Sequence, residues 1–150
     1  MNKMTRSAML CVLRFLGLAR SRRVTVRRGP VNDTGDALAG FTPFLGVAVS
    51  GTARRATARL RVVFRVKSVN LAQRSLIPRL SIPFFAGQPG FVSKTYLLNA
   101  KDRLFAGLYE WESEADAQAY VRSFAGRFME RNADRGEVRY EIVAKEYRTR

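Results

Sequence analysis

Two carboxylates, Glu110 and Glu112, stand two residues apart in Phe105-Ala-Gly-Leu-Tyr-Glu-Trp-Glu112, so on a strand they share one face. Such a pair serves as general acid and base only where burial lifts a pKa. Exposed, or matched to arginines, the two are solvated charges, and that is the reading adopted. The chain has no histidine. This removes Ser-His-Asp and Cys-His catalysis, histidine zinc sites and histidine-ligated haem together. Its one cysteine, Cys11, has no base near it in sequence and excludes an intramolecular disulfide. No P-loop, GxGxxG or metal-ligand spacing is present. No catalytic residue is assigned, and neither a metal nor a cofactor is expected.

What remains is aromatic. Phe105, Gly107, Tyr109 and Trp111 alternate on one parity of the same segment, and Phe91, Ser93, Thr95, Leu97 and Asn99 join them from Phe91–Asn99. Phe64, Phe84, Thr95, Tyr109, Trp111, Tyr120, Phe124 and Tyr140 then form a layer with two alternative roles. They pack a core, each Tyr and Trp finding a partner for its polar tip, or they line a cleft for a flat hydrophobic molecule oriented by Thr95, Tyr109, Asn99 or Tyr140. Gly107, opposite bulky neighbours, marks space.

The elements that must position these residues follow from periodicity. Leu60, Val62, Phe64 and Val66 alternate with Arg61, Val63, Arg65 and Lys67, a half-buried strand. Leu76, Ile77, Leu80 and Phe84 make a helical stripe, which Pro78 and Pro83 step or bend over roughly 70–86. Phe91–Asn99 and Phe105–Glu112 read as a hairpin joined by Ala100–Arg103. Ser113 caps a second helix with Asp116 three residues on, and Ala117, Tyr120, Val121, Phe124 and Phe128 recur at helical spacing. Beyond Gly136, Val138, Tyr140 and Ile142 alternate with Arg139, Glu141 and Val143. The order β-α-β-β-α-β predicts an α+β, ferredoxin-like antiparallel sheet with two helices on one face, over residues 56–150.

The second sheet face then holds Arg61, Val63, Arg65, Lys67, Lys94, Tyr96, Leu98, Leu108, Glu110, Glu112, Arg139, Glu141, Val143 and Lys145. It is either a solvated face or a self-complementary one. Its apolar content favours a homodimer through this open sheet face.

Residues 1–55 read differently. They hold ten basic residues against two acids, Asp33 and Asp36, a net +8 of the chain's +15. Ala8–Ala19 is an apolar run interrupted by Arg14, and neither it nor Asp36–Gly51 reaches the roughly 18–20 residues of a membrane span. Met9, Val12, Leu13, Leu16 and Ala19 or Arg20 lie near one helical stripe beside a basic segment, so weak contact with an anionic membrane surface is one expectation. Gly29-Pro30 and Asn32–Gly35 are turn chemistry. The segment is expected to be a loosely structured or helical basic N-terminal extension. Nucleic acid is disfavoured, because no DNA- or RNA-binding motif accompanies the charge. The location expected is cytoplasmic, with a peripheral membrane contact.

Ile82-Pro-Phe-Phe-Ala-Gly-Gln-Pro-Gly-Phe-Val-Ser-Lys94 and Phe105–Glu112, leading into Ser113–Tyr120, resemble the YdhR-type monooxygenase-like proteins of the dimeric α+β-barrel superfamily, alongside antibiotic-biosynthesis monooxygenases. The resemblance covers about residues 58–146. It implies a ferredoxin-like subunit that dimerises sheet to sheet, with ligand held between sheet and helices. It further implies oxidation of phenolic polycycles with dioxygen and no bound cofactor; a haem-dependent branch would need the histidine that this chain lacks. Tyr109 and Trp111 match the family's cleft positions. The function expected is therefore binding or oxidation of a hydrophobic aromatic compound. The alternative is a non-enzymatic dimeric ligand-binding or stress module whose basic leader touches membrane.

Overall fold

A computed structural model describes residues 3–20, 23–32, 38–50, 56–65, 77–123, 125–127, 130 and 137–145. The chain has a ferredoxin-like α+β fold. Its elements are α1 (Lys3–Arg20), β1 (Val24–Arg27), β2 (Thr42–Val49), β3 (Ala58–Arg65), α2 (Ile77–Leu80), α3 (Ile82–Ala86), β4 (Phe91–Asn99), β5 (Leu104–Trp111), α4 (Glu114–Val121) and β6 (Val138–Ala144). All six strands form one sheet in the order β1-β2-β4-β5-β3-β6. Every pairing in it is antiparallel. The expected helical residues Leu76 and Phe128, and Val66 and Lys67 of the first expected strand, lie outside the described residues.

Local chemistry accounts for the elements. Pro78 and Pro83 cannot donate to a helical ladder, and the predicted stripe is stepped into α2 and α3 with Ser81 between them. The Ser113 hydroxyl accepts from the Asp116 amide at 3.1 Å and donates to its carboxylate at 2.7 Å, which caps α4. In the β4–β5 turn, the Asp102 amide donates to Asn99 Oδ1 at 3.0 Å, while Arg103 adopts φ 54°.

Residues 24–27 and 42–49 form strands, beyond the loosely structured or helical extension expected of them. β2 pairs with β4 from Thr42↔Leu98 to Ala48↔Ser93, and β1 pairs with β2 outside it. Helix α1 lies on the helical side of the sheet: Cys11 is buried, and Phe15 and Leu18, four and seven residues on, pack against the main core. Its approach to α3 depends on Gly87, where a Cβ would collide with the Cys11 carbonyl.

The core on the helical side contains Leu45, Val47, Leu60, Val62, Phe85, Phe91, Tyr96, Tyr109, Trp111 and Tyr120. A smaller cluster on the other face joins Leu38, Leu97, Ala106 and Leu108, with Phe41 and Val63 against it.

Candidate functional site

The site is set by β5 and by an irregularity in β4. On β5, Phe105, Gly107, Tyr109 and Trp111 share the helical face, as their alternation predicts. On β4 the register shifts between Phe91 and Ser93, after which Lys94 pairs with Tyr109, Tyr96 with Gly107 and Leu98 with Phe105. One residue of slip exchanges the two faces of a strand. Lys94, Tyr96 and Leu98 therefore belong to the helical side. Thr95, expected in the cleft, lies on the other face, where it pairs with Leu108 and donates to Asn32 Oδ1 at 2.6 Å.

Tyr109, Trp111 and Tyr120 meet as expected, all buried. Tyr109 stacks on Trp111 with an interplanar angle of 16°, and Tyr120 lies 5.1 Å from both rings. The Tyr109 and Tyr120 hydroxyls are 3.0 Å apart. Phe64 sits beside Phe105 at 5.0 Å, towards the far end of β5. Phe84 is half-buried against the core, and its neighbour Phe85 approaches Tyr109 edge-on at 5.9 Å. Tyr140, half-buried on β6, donates to the Gly126 carbonyl at 3.4 Å. Phe124 lies outside the described residues. Asn99 closes the β4–β5 turn by its bond to Asp102.

Lys94 is the residue that the alternation misplaced. It is only 3% exposed. Its Nζ sits 3.8 Å from the centre of the Tyr96 ring, 4.4 Å from Phe85 and 4.5 Å from Tyr109. A cation over one such face gains about 0.5–2 kcal/mol. That does not replace the lost hydration of a buried ammonium, and burial pushes the Lys94 amine well below the ordinary lysine range. Gly107 seats this arrangement. A Cβ there would stand 2.7 Å from the Tyr109 ring and 3.3 Å from Lys94 Cε, so the space its missing side chain leaves is filled by this chain's own groups.

Burial also raises the hydroxyls of Tyr96, Tyr109 and Tyr120 above the ordinary phenol range. Tyr140 is pushed up to about 12 by burial and by the Glu130 carboxylate. Tyr96 donates to the Pro78 carbonyl at 2.9 Å and lies 3.1 Å from the Ser81 hydroxyl. The Trp111 Nε1, by contrast, is buried without a hydrogen-bond partner among the described residues.

Of the two carboxylates, Glu110 is paired charge. Glu110 meets Lys145 at 2.7 Å, Arg59 at 3.3 Å and the Ser93 hydroxyl at 3.2 Å, on the face away from the rings. Among the described residues no three acidic or cysteine side chains come together as a metal site. The helical face thus buries flat rings, an amine and an indole N–H that has no partner among the described residues.

No protein-family model and no curated protein sequence matches the chain. Solved structures do. A heme-degrading enzyme from Listeria monocytogenes superposes with a TM-score of 0.53 at 14% identity, over 85% of this chain and 90% of that one. A monooxygenase-like protein from Listeria innocua gives 0.52 at 13%, over 71% and 65%. A protein of unknown function from Nitrosomonas europaea gives 0.52 at 15%, over 65% and 96%. The class defined is a ferredoxin-like fold of the kind found in monooxygenase-like proteins. At these identities the likeness is one of fold.

Proposed function

We propose that the chain binds a hydrophobic aromatic small molecule between the sheet and its helices, against Tyr109, Trp111 and Tyr120. We further propose that it is a YdhR-type member of its superfamily, able to oxidise such a molecule without a bound cofactor. The observation that carries the binding reading is the buried Trp111 Nε1 with no partner among the described residues, set in a continuous layer of rings. Buried polar groups are ordinarily satisfied, so an unpaired donor in an apolar wall suits a ligand that brings an acceptor. The quoted sequence words and the fold shared with monooxygenase-like proteins support the oxidative step.

Trp111 is the chain's one tryptophan, so its emission reports on this layer. Titration with anthrones and hydroxyquinones is expected to give saturable quenching, with oxygen uptake for the oxidisable members. Unchanged emission across the panel, with no uptake, overturns the reading.

A second reading concerns α1. One stripe of the helix is docked, while Met9, Leu10, Leu13 and Leu16 are 45–55% exposed, and Arg6, Arg14 and Arg20 are exposed around them. No acid precedes Asp33. An apolar strip fringed by arginine fits the boundary of an anionic bilayer. No helix among the described residues is long and apolar enough to cross one. Co-sedimentation with phosphatidylserine vesicles is expected, weakening at least tenfold in Leu13→Asp/Leu16→Asp. Equal sedimentation of the two proteins overturns membrane contact.

A further inference from the structure

We propose that β6 is an interaction surface whose open edge pairs, antiparallel and centred on Tyr140, with β6 of a second copy of this chain. Two six-stranded sheets then join edge to edge. The contact uses an edge of the sheet and not its open face, and it is independent of the ligand reading above.

Because β2 occupies the outer side of β4, the two edges of the sheet are β1 and β6. They are not equivalent. β1 is four residues long and carries Arg27 between Arg23 and Arg28, so two copies would set like charges together. β6 runs for seven residues without proline and pairs with β3, free of any register shift, from Ala58↔Ala144 to Phe64↔Val138. Among the described residues no strand pairs with its outer side. One bond fixes which groups point outward. The Lys145 amide donates to the Thr57 carbonyl at 2.8 Å, one step beyond the Ala58↔Ala144 pair. Opposed residues of an antiparallel ladder alternate between bonded and non-bonded pairs. Arg139, Glu141 and Val143 therefore direct their amides and carbonyls to β3, whereas Val138, Tyr140 and Ile142 turn theirs to the open edge. The side chains of these last three are only half-buried against the core, although Leu60 and Val62, opposite Ile142 and Tyr140, are fully buried. An added strand completes both the backbone ladder and the apolar row.

Charge selects the occupant and its register. A strand can slide along this edge only in steps of two residues, since the outward backbone groups fall on alternate positions. With Tyr140 opposite Tyr140 of the second copy, Val138 meets Ile142, and Arg139 meets Glu141 on each side of the two-fold axis. Arg139 and Glu141 then form non-hydrogen-bonded pairs, in which side chains come closest and opposite charges attract. Both are exposed, and Arg61 holds Glu141 through Oε2, so an arginine of the second copy has Oε1 to meet. Neighbouring registers are worse. Centring on Arg139 or on Glu141 opposes each residue to its own like charge, and centring on Ile142 sets Arg139 against Lys145. Centring on Val143 would call on Lys145, which Glu110 engages at 2.7 Å. The Tyr140-centred contact is isologous and closes at two copies, whereas β6 against β1 would propagate into a filament.

Analytical ultracentrifugation of the full chain is expected to show a monomer–dimer equilibrium. Arg139→Glu turns both cross-strand pairs repulsive and should raise the dissociation constant about tenfold or more. Glu141→Arg should do the same. Mixed in equal amounts, the two variants regain two attractive pairs and should recover a heterodimer that neither forms with itself. Circular dichroism identifies the folded variants. A variant that keeps the charge guards against loss of fold: in Arg139→Lys, a water-soluble carbodiimide should couple the amine at position 139 to Glu141 of the second copy, giving a covalent dimer on a denaturing gel. A wild type that stays monomeric at its highest soluble concentration overturns the proposal. So does a mixture of the folded variants that stays monomeric, or coupling that yields no covalent dimer. A dimer of undiminished strength in Arg139→Glu overturns it too, and turns attention to the open sheet face.

Discussion

Lys94 makes stability depend on pH in a direction opposite to that of a salt-bridged lysine. Its amine is held below the ordinary value when folded and returns to about 10.4 on unfolding. Between those two values the unfolded chain binds the extra proton, so stability rises with pH, by about 1.4 kcal/mol per unit for this one group. Below the folded value the slope vanishes. Above about pH 10 the buried tyrosines act in the opposite sense. Tyr96, Tyr109 and Tyr120 retain their protons in the folded chain after an unfolded phenol would have lost its own, so their stabilisation is lost as pH rises further. Urea midpoints from pH 6 to pH 11 are therefore expected to climb and then fall. Lys94→Met removes the climbing limb and keeps the fall, with higher stability at pH 6, since the thioether lies against rings without needing hydration. A variant whose midpoint follows the wild type across pH 6–9 contradicts a buried, uncompensated amine.

At the scale of elements, the glycines on either side of the α1 contact separate docking from helix formation. Gly87→Ala sets a methyl group against the Cys11 carbonyl, and backbone on that side cannot yield by a rotamer change. Overpacking of this kind costs about 1–3 kcal/mol, and α1 is the element free to move away. Cys11, buried at 7% exposure and with its thiol pushed up by that burial, should then label with maleimide many times faster than in wild type. Gly17 has nothing within 4 Å of its Cβ position. Gly17→Ala should strengthen the helix by about 1 kcal/mol and leave labelling slow. Equal labelling of wild type and Gly87→Ala contradicts the docked helix. The same elements show how far sequence reaches. β3, β5, β6 and the Ser113 cap were legible, because one parity or one side-chain bond decides each of them. The second strand was legible as an element, but its faces were not: a slipped residue between Phe91 and Ser93 leaves no mark in an otherwise apolar run, and Thr95 and Lys94 exchanged sides. β2 was hidden because Pro43 and Gly46 interrupt its apolar stretch. Pro43 sits at the irregularity between Pro43 and Leu45, and Gly46 is required where Val31 crosses over the strand.

Across the whole molecule, the N-terminal third covers part of the face through which a ferredoxin-like subunit was expected to dimerise. Asn32 donates to the Ser93 hydroxyl and to the Leu108 carbonyl, both at 3.0 Å, and accepts from Thr95 at 2.6 Å. The Val31 amide donates to Thr95 at 3.2 Å. Leu38 and Phe41 lie over Leu97, Ala106 and Leu108. A sheet-to-sheet homodimer of the full chain would thus work with β3 and β6, where Arg61 is paired to Glu141 and Val143 is 43% exposed. The covering segment and β2 also protect β4, which otherwise presents an open row of amides and carbonyls. Deleting residues 1–55 leaves that edge unpaired and uncovers the Leu97–Leu108 cluster together, and unpaired edges recruit other chains. The shortened chain should elute as a dimer or larger species with strong binding of an apolar dye. Asn32→Ala is the control, because it withdraws polar bonds while leaving both strand pairing and the apolar cover. It should cost about 1–3 kcal/mol for the groups left unsatisfied and keep the oligomeric state of the full chain. If light scattering gives the shortened chain the same state as the full one, with no added dye binding, then β1, β2 and the cover of Val31, Asn32, Leu38 and Phe41 are not what closes this side of the sheet.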